Sequence, residues 1–524
     1  MDESNRFISK LLSFIKSMSV ARAVSLSFSL AILVGSLVLF LLEGGKLSYI
    51  NAFYISASAF CVTGLTPVLI STLSFPGQLA LMFFIQAGGL GIIVFTVLIG
   101  VMVIRGLSRN TKLQEFMFEV LDTDPTDELR TPDDSIGQPK VLRIIVAIFN
   151  IAITIELIGA FVLYFTFPDE LPANVQSRFF LALFTSISAF NNAGFSITDD
   201  ISFLMYNLPS LYAIMFLILM GGIGFPVIIF IEKLMLKTLN EITSKFEVWC
   251  ETHLMIKAIS GEEPSPIYFF LTRLSFWTEN QIATYNKSLL GESSRVQTTV
   301  ILIGSFVLIC IGTITVFLSE YTNEKSIGAL PLDVKFANSL FVSIASRTAG
   351  FNTFDMSKLM DSSIVVICSL MFIGGGPQGT AGGIKITTFV IFLQYLKNVI
   401  NSQSKVQIFG QLVSKRSVAM SIRLYFLATT TLMGAIFILS IVHPKSLLQS
   451  NQLTEIVFEV ISAFGTVGFT LNFTPKITDL EKVIYSLLMY LGRIGIFTVL
   501  VAVTGNSVTS QMGEVDDGLK IQVG

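Results

Sequence analysis

Long apolar runs alternate with shorter semi-apolar stretches along this chain. Eight runs, near 22–43, 76–104, 141–167, 209–236, 297–318, 362–398, 417–441 and 482–505, are long enough to cross a hydrocarbon core of about 30 Å. Between the members of each successive pair lies a stretch of about 12–14 residues, at 50–62, 177–190, 336–347 and 453–465, too short to cross and long enough for a re-entrant helix. Each short stretch ends in a glycine-containing loop, and non-helical backbone at membrane depth is tolerated only inside protein or beside water. The unit is span, short helix, loop, span, and it occurs four times. A repeat of this kind decides the fold. The expected architecture is an all-α integral membrane protein: four tandem span–pore helix–span repeats, with eight full spans and four re-entrant pore helices around one central pore.

Composition agrees with a multi-pass membrane protein. The 524 residues are 52% hydrophobic and only 13% charged, where soluble domains carry about 25%. Charge adds the orientation. The N-terminus and the links 105–143, 232–297 and 395–423 hold about 22 Lys and Arg, the opposite links about 8, and cytoplasmic segments are the basic ones. Both termini are therefore expected in the cytoplasm and the short helices enter from outside. The expected divisions are a cytoplasmic N-terminal segment (1–21), repeat 1 (22–104), a link (105–140), repeat 2 (141–236), a long link (237–296), repeat 3 (297–398), a basic link (399–416), repeat 4 (417–505) and a tail (506–524). The acidic patch DTDPTDE (122–128) reads as a cation-binding patch or, more in keeping with its setting, a solvated loop. The long link, with Trp249, Trp277 and PSP (264–266), carries extra helices or lies along the membrane surface. No basic stripe points to nucleic acid. The four cysteines form no C-x-x-C pair, and His253 and His443 stand far apart, so neither zinc nor a disulfide framework is supported.

Aligned on one glycine, the loops read CVTGLT (61–66), NNAGFS (191–196), RTAGFN (347–352) and GTVGFT (465–470). Serine stands six places before the glycine in three of them, at Ser58, Ser188 and Ser462, with Ile344 in the third. Downstream, GGLG (88–91), GGIG (221–224), GGGP (374–377) and GRIG (492–495) share a frame in the second span. Carbonyls turned toward a common axis replace an alkali ion's hydration shell, and four copies make a ring. The candidate filter is the backbone of Val62, Thr63, Gly64, Asn192, Ala193, Gly194, Thr348, Ala349, Gly350, Thr466, Val467 and Gly468, with K+ as the metal there. Glycine permits φ > 0 and lets its carbonyl be aimed. The C-terminal ends of the short helices favour a cation. The loops contain no carboxylate, which magnesium and calcium sites call for. A single glycine in an apolar stretch more often serves helix packing. Four matched loops reverse that balance, while for the GG pairs of the second spans packing remains at least an equal reading.

These loops, with SRTAGFNT (346–353) and GGGPQGTAGGIK (374–385), resemble the Trk/Ktr/HKT superfamily of potassium transporters over about 22–524. The absence of two extra N-terminal spans, the GTAGG run and the short C-terminus ending KIQVG make the chain most similar to the bacterial Ktr membrane subunit (KtrB-like). The resemblance implies potassium uptake across the plasma membrane by the conducting subunit, glycine at all four filter positions going with potassium selectivity. It also implies a homodimer, sodium dependence, and a cytoplasmic RCK-type regulatory subunit (KtrA-like), through which alone a nucleotide enters. The alternative is a Na+-permeable or H+-coupled Trk-type transporter. The long link 237–297 departs from the family pattern.

The run 373–389 interrupts the second span of repeat three, and so many Gly and Pro make a continuous helix improbable. It is no Walker A, because Ile384 separates Gly383 from Lys385 and no strand precedes it. By resemblance Gly374, Gly375, Gly376, Pro377, Gln378, Gly379, Thr380, Ala381, Gly382, Gly383 and Lys385 form a gate under the filter; a passive kink is the other reading. Lys385 has a second reading as a solvated lysine at the inner mouth. Arg493 takes the place of Gly89 and Gly222, and a mid-span charge usually faces water or a partner. It is expected to line the pore and pair with the gate loop. Arg347 and Asn191 are expected to brace the filter from behind, and Glu156 to brace a pore helix or to make a polar helix–helix contact. No nucleophile–base pair or metal pair lies at membrane depth, so an enzyme is not expected. No span carries Arg every third residue, which disfavours a voltage sensor.

Overall fold

The structure is a computed structural model, and the description covers residues 20–106, 140–172, 175, 177–198, 201–258, 273, 292–403, 405–443, 452–504 and 521. The acidic patch 122–128, the PSP at 264–266, Trp277 and nearly all of the N-terminal segment and tail lie outside these residues.

The chain folds as helices in an order that recurs. Unit one is α1 (Val20–Leu42), α2 (Tyr49–Phe60) and α3 (Phe75–Gly106). Unit two is α4 (Lys140–Thr166), α5 (Arg178–Phe190), α6 (Leu208–Gly222) and α7 (Phe225–Ala258). Unit three is α8 (Glu292–Glu320), α9 (Leu332–Ala345), α10 (Asp361–Phe372) and α11 (Ile386–Ile400). Unit four is α12 (Lys415–Val442), α13 (Gln452–Gly465), α14 (Asp479–Ile494) and α15 (Ile496–Thr504). The short helices α2, α5, α9 and α13 fall on the stretches too short to span. Residues 1–224 with 300–524 form one compact body, and 225–299 form another.

Four helices among the described residues are long and apolar enough to cross a membrane by themselves: Ala21–Leu42, Val146–Thr166, Arg295–Glu320 and Lys415–Val442. Their large apolar side chains point outward, among them Leu30, Leu41, Phe161, Phe165, Phe306, Leu318, Phe426 and Phe437. That arrangement suits lipid as the surrounding solvent. Eight full spans are expected from the sequence, one of them interrupted at 373–389, and the structure adds breaks in the second half of units two and four. Unit two breaks at Ile223–Gly224, unit three between Phe372 and Ile386, and unit four at Gly495. Gly224 and Gly495 both lie at φ +92°, a conformation that leaves the helix, and both hold the fourth place of the shared G-x-x-G frame. Unit three has Pro377 at that place. Only the break in unit three was expected.

Side-chain caps mark the starts of two of the short helices, α2 and α5, and of α14. Ser48 and Ser177 accept from the backbone N–H of Asn51 and Phe180. Thr478 and Glu481 close a capping box on α14. A polar clasp then joins the C-terminal end of each first helix to the start of the following second helix. The Glu43 carboxylate accepts from Ser74 N (3.0 Å) and Oγ (2.8 Å). Asn207 Nδ2 donates to Thr166 O at 2.9 Å. Glu320 accepts from Met360 N, Ser363 Oγ, Ser326 Oγ and Asn323 Nδ2. His443 Nδ1 lies 2.7 Å from Glu481 Oε1. Each clasp fixes the frame into which a short helix and its loop are inserted.

Small residues set the depth of insertion. Ser56, Ser186 and Ser343 hydroxyls donate to Ile32, Glu156 and Ile309 carbonyls on the first helices. A Cβ on Gly35, Gly159 or Gly312 would strike those same serines. The basic link forms a two-residue hairpin, β1 (Gln407–Ile408) with β2 (Gln411–Leu412), turned by Phe409 and Gly410 at positive φ. In the tail, Ile521 is buried and its carbonyl accepts from Ser417 Oγ.

Candidate functional site: a closed ring of four loops

Three of the four short helices run into their loops by the same bond. Thr63, Ala193 and Val467 N–H groups donate to Ser58, Ser188 and Ser462 carbonyls, all at 2.8 Å. In the third loop, which lacks that serine, Gly350 N–H donates to Ala345 O at 3.0 Å. The Ser58 and Ser462 hydroxyls accept from Gly64 and Gly468 N–H at 3.1 Å, so the serine holds the loop on its outer side. Two residues per loop adopt positive φ: the glycine (67° to 100°) and the residue two before it, Val62, Asn192, Thr348 or Thr466 (50° to 78°). The intervening residue does not. That alternation reverses the direction of successive peptide groups. For β-branched Val62, Thr348 and Thr466 the left-handed conformation is an outlier. Strain of this type costs about 1–3 kcal/mol per residue and persists where the surroundings impose it.

The four glycines close a ring in chain order. A Cβ on Gly64 would stand 2.6 Å from Ala193 O and 3.1 Å from Gly194 Cα. On Gly194 it would meet Ala349 O at 2.7 Å and Gly350 Cα at 3.3 Å. On Gly350 it would strike Val467 O and stand 2.9 Å from Gly468 Cα. On Gly468 it would strike Thr63 O and stand 3.3 Å from Gly64 Cα. Loop one thus faces two, two faces three, three faces four, and four returns to one. Each contact is backbone against backbone, so only glycine fits. The Thr63, Thr348 and Thr466 hydroxyls are buried with no hydrogen-bond partner among the described residues. The loops therefore offer hydroxyl as well as carbonyl oxygens.

Behind the ring the asparagines are tied to protein. Asn191 Nδ2 donates to Gln86 Oε1 (3.0 Å), Glu156 Oε1 (2.9 Å) and Ile187 O (2.9 Å). Glu156 Oε2 accepts from Gln86 Nε2 at 3.0 Å. Glu156 therefore meets both the C-terminal end of α5, through Asn191, and α3, through Gln86. With its amide nitrogen turned toward carbonyls, Asn192 donates to Ile218 O and Ala189 O and accepts from Gly222 N–H. Arg347 donates to Gly374 O at 3.1 Å, away from the ring. The glycine pairs of the second spans make close approaches. A Cβ on Gly88, Gly221 or Gly492 would fall on the carbonyl of Phe60, Phe190 or Phe464, the residue four before the ring glycine.

The segment 374–383 is packed under the loops. Ile373 and Ile384 form a parallel bridge, and Gly374 N–H donates to Ile384 O at 2.8 Å. Gly376 and Thr380 N–H groups donate to Gly222 and Gly221 carbonyls. Gly383 N–H donates to Gly492 O, and a Cβ on Gly382 would strike Thr466 Oγ1. Gly375 and Gly379 lie against the carbonyls of Gly222 and Gly221, and a Cβ on Gly224 would fall on the Pro377 carbonyl. Arg493 is buried and donates to Thr380 O, to Gly88 O (2.7 Å) and to Gly89 O (3.1 Å). Lys385 Nζ donates to Ala381 O at 2.5 Å. The structure therefore brings Arg493 onto the segment and joins it to α3.

Gln86 carried no sequence signal, and the local sequence announces neither the distant partner of Thr380 nor the left-handed backbone of Val62, Thr348 and Thr466. Gln86 and the Thr380 hydroxyl, which donates to Phe190 O at 3.1 Å, act across separations of 105 and 190 residues. The left-handed Val62, Thr348 and Thr466 contradict their own propensity. Asn192 is the exception, since asparagine tolerates that region.

The family described as TrkH, cation transport protein, matches residues 13–509. The chain belongs to the TrkH family. It is a multi-pass membrane transporter and not an enzyme. Family relatives include the Ktr system potassium uptake protein B of Bacillus subtilis, 31% identical over 91% of both chains. The potassium/sodium uptake protein NtpJ of Enterococcus hirae is 27% identical over 93% of both. The solved structure of the potassium transporter TrkH from Vibrio parahaemolyticus superposes with a TM-score of 0.60 at 17% identity, covering 91% of this chain and 83% of that one, which shows a shared fold.

Proposed function

We propose that this family member is the ion-conducting subunit of a Ktr-type potassium uptake system in the plasma membrane. The observation that carries this reading is the closed ring of glycine loops. Four tandem repeats, with the boundaries expected from the sequence, surround one central pore. Backbone carbonyls at 62–64, 192–194, 348–350 and 466–468 replace the water around K+, and the C-terminal ends of α2, α5, α9 and α13 add negative potential. Backbone oxygens are neutral, so the ring favours an ion that is cheap to dehydrate.

The segment 374–383 is the gate. Its hydrogen bonds to Gly221, Gly222 and Gly492, and the clamp from Arg493, support a closed position under the ring. Arg493 also lowers cation occupancy just below the ring and speeds exit. Both termini are cytoplasmic, the protein is a homodimer, and an RCK-type subunit carries the nucleotide and moves the gate.

A second reading, a Na+-permeable transporter, draws on the potassium/sodium uptake relative. Growth rescue of a potassium-uptake-deficient host at low K+, with and without Na+, tests both. Rescue that requires K+ and is improved by Na+ is the expected result. No rescue by membrane-inserted protein, with or without the regulator, sinks the proposal, and Na+ influx without K+ preference selects the second reading.

A further inference from the structure

A basic, partly apolar surface lies where α11 passes through the β1–β2 hairpin into α12, away from the ring. Between Asp361 and Glu455 the sequence holds no Asp or Glu. Lys397, Lys405, Lys415, Arg416 and Arg423 stand in that stretch and are exposed. Large apolar side chains are exposed among them: Ile400 at 81%, Phe409 at 60%, and Val399. The backbone beneath is well tied. Asn398 is buried, and its Nδ2 donates to Lys405 O at 2.6 Å. Val413 N–H donates to Val406 O at 2.9 Å, and Val406, Ile408 and Val413 are buried. Strand β1 lies against α11.

Two features of this surface run against local folding chemistry. The pairing of Ile408 with Gln411 leaves Phe409 and Gly410 as a two-residue turn, both at positive φ (49° and 80°). Such a turn calls for Asn, Asp or Gly at its first place, and a bulky side chain is an outlier there. Lys415 and Arg416 open α12, where cations oppose the helix dipole. Both choices suit a lipid headgroup layer, which holds aromatic rings at its apolar edge and presents anions to basic side chains. Depth agrees. Helix α12 has 28 residues, about 42 Å of length, against a hydrocarbon core of about 30 Å. Its exposed large apolar side chains begin at Phe426 and end at Ile441, so the excess of about 12 Å falls on the basic first turns. The Phe392 ring stacks on Tyr425 at 3.9 Å, which sets α11 beside α12 and brings Val399 and Ile400 level with the start of α12.

We propose that this corner docks on the anionic phospholipid headgroups of the membrane that the chain spans. Phe409 sits at the boundary of headgroups and acyl chains, and Lys397, Lys405, Lys415 and Arg416 meet lipid phosphates. Continuity supplies this occupant, because the two helices that carry the surface enter the bilayer beside it. Charge agrees. A second copy of the surface would bring like charges face to face, whereas an anionic leaflet attracts them. The proposal rests on the chain crossing a membrane and not on which ion it conducts.

The test uses the purified full chain in lipid nanodiscs. Phe409→Trp is compared with wild type, whose Trp249 and Trp277 set the background, in lipids with and without bromine near the glycerol end of the acyl chains. The expected result is added emission that is blue-shifted and quenched by the brominated lipid. The melting temperature is then followed in phosphatidylcholine with and without phosphatidylglycerol. Wild type is expected to melt higher with the anionic lipid, since a ligand of the folded state stabilises it. That shift shrinks as salt rises, and the double variant Lys397→Gln, Lys405→Gln loses half of it or more. The Asn398 bond to Lys405 uses the backbone carbonyl, so the pair leaves the hairpin in place. Should Phe409→Trp fail to fold, the wild-type shift and its reduction in the lysine pair carry the test. Added emission that bromine leaves unquenched overturns the proposal. If that unquenched emission moves on adding the regulatory subunit, the surface belongs to a protein partner instead. Equal melting temperatures in the two lipids, or a shift unchanged in the lysine pair, overturn the headgroup contact. K+ rescue of cells by wild type holds or fails independently of both readouts.

Discussion

Gly350→Ser is the sharpest perturbation of the ring. The backbone there lies at φ +67°, and an L side chain in the left-handed region costs about 1–2 kcal/mol. The new Cβ lands on the Val467 carbonyl and 2.9 Å from Gly468 Cα. Both are backbone atoms of the next loop, so no side chain can swing aside, and overpacking of this kind costs about 1–3 kcal/mol. Together about 2–5 kcal/mol opposes the closed ring. A thousandfold preference between two ions corresponds to about 4 kcal/mol. Opening the ring to relieve the clash therefore releases energy of the size that discrimination needs. The assay is K+ and Na+ influx into cells lacking their own potassium uptake, or into proteoliposomes, with the ion ratio varied. A fall of about tenfold or more in K+ preference is expected, since each 1.4 kcal/mol is about tenfold. Gly434→Ala is the control: nothing lies within 4 Å of its added Cβ, and replacing a mid-helix glycine gains up to about 1 kcal/mol. An unchanged K+:Na+ ratio in correctly inserted Gly350→Ser protein refutes the ring as the selective element.

Other perturbations separate the parts around the ring. Deleting Gly375–Gly382 raises K+ flux in the absence of the regulatory subunit, and flux that still depends on the regulator contradicts the gate. Arg493→Gln removes charge from the bonds to Thr380, Gly88 and Gly89, each worth about 1.5–3 kcal/mol, and gives regulator-independent flux in the same assay. Glu156→Ala leaves the Asn191 and Gln86 amides short of an acceptor, at about 1–3 kcal/mol each, and lowers K+ selectivity less than Gly350→Ser does. Glu320→Ala strips one acceptor from four donors and costs about 3 kcal/mol or more of stability, read as a lower melting temperature, without altering the K+:Na+ ratio of protein that remains folded.

The residues of the ring were legible because they repeat. A glycine that fits only against its neighbour's backbone has to recur wherever that neighbour recurs, and four aligned glycines therefore announce a shared geometry. Helix limits were legible for a similar reason, since length against membrane thickness separates Tyr49–Phe60 from Val20–Leu42. The breaks at Gly224 and Gly495 were not. A glycine is compatible with a helix, and Gly91, in the same frame, stays inside α3. What differs is the company: Gly224 faces the Pro377 carbonyl of the 374–383 segment, a partner more than a hundred residues away.

The two asparagines of NNAGFS (191–196) show how identity and repetition divide the work. The place two before the ring glycine must be left-handed in every loop, yet it holds Val62, Asn192, Thr348 and Thr466. Only asparagine suits the backbone by itself, so in the other three the flanking bonds impose the conformation. The place three before holds Cys61, Asn191, Arg347 and Gly465, and it turns outward to something different each time. Asn191 meets Gln86 and Glu156, Arg347 meets the Gly374 carbonyl, and a Cβ on Gly465 would meet the Met371 carbonyl at 2.5 Å. A fourfold ring made by one chain needs only its inner backbone to be alike. The outer side chains are free to differ, and that freedom lets a single segment, 374–383, approach from one side and bond to units two and four.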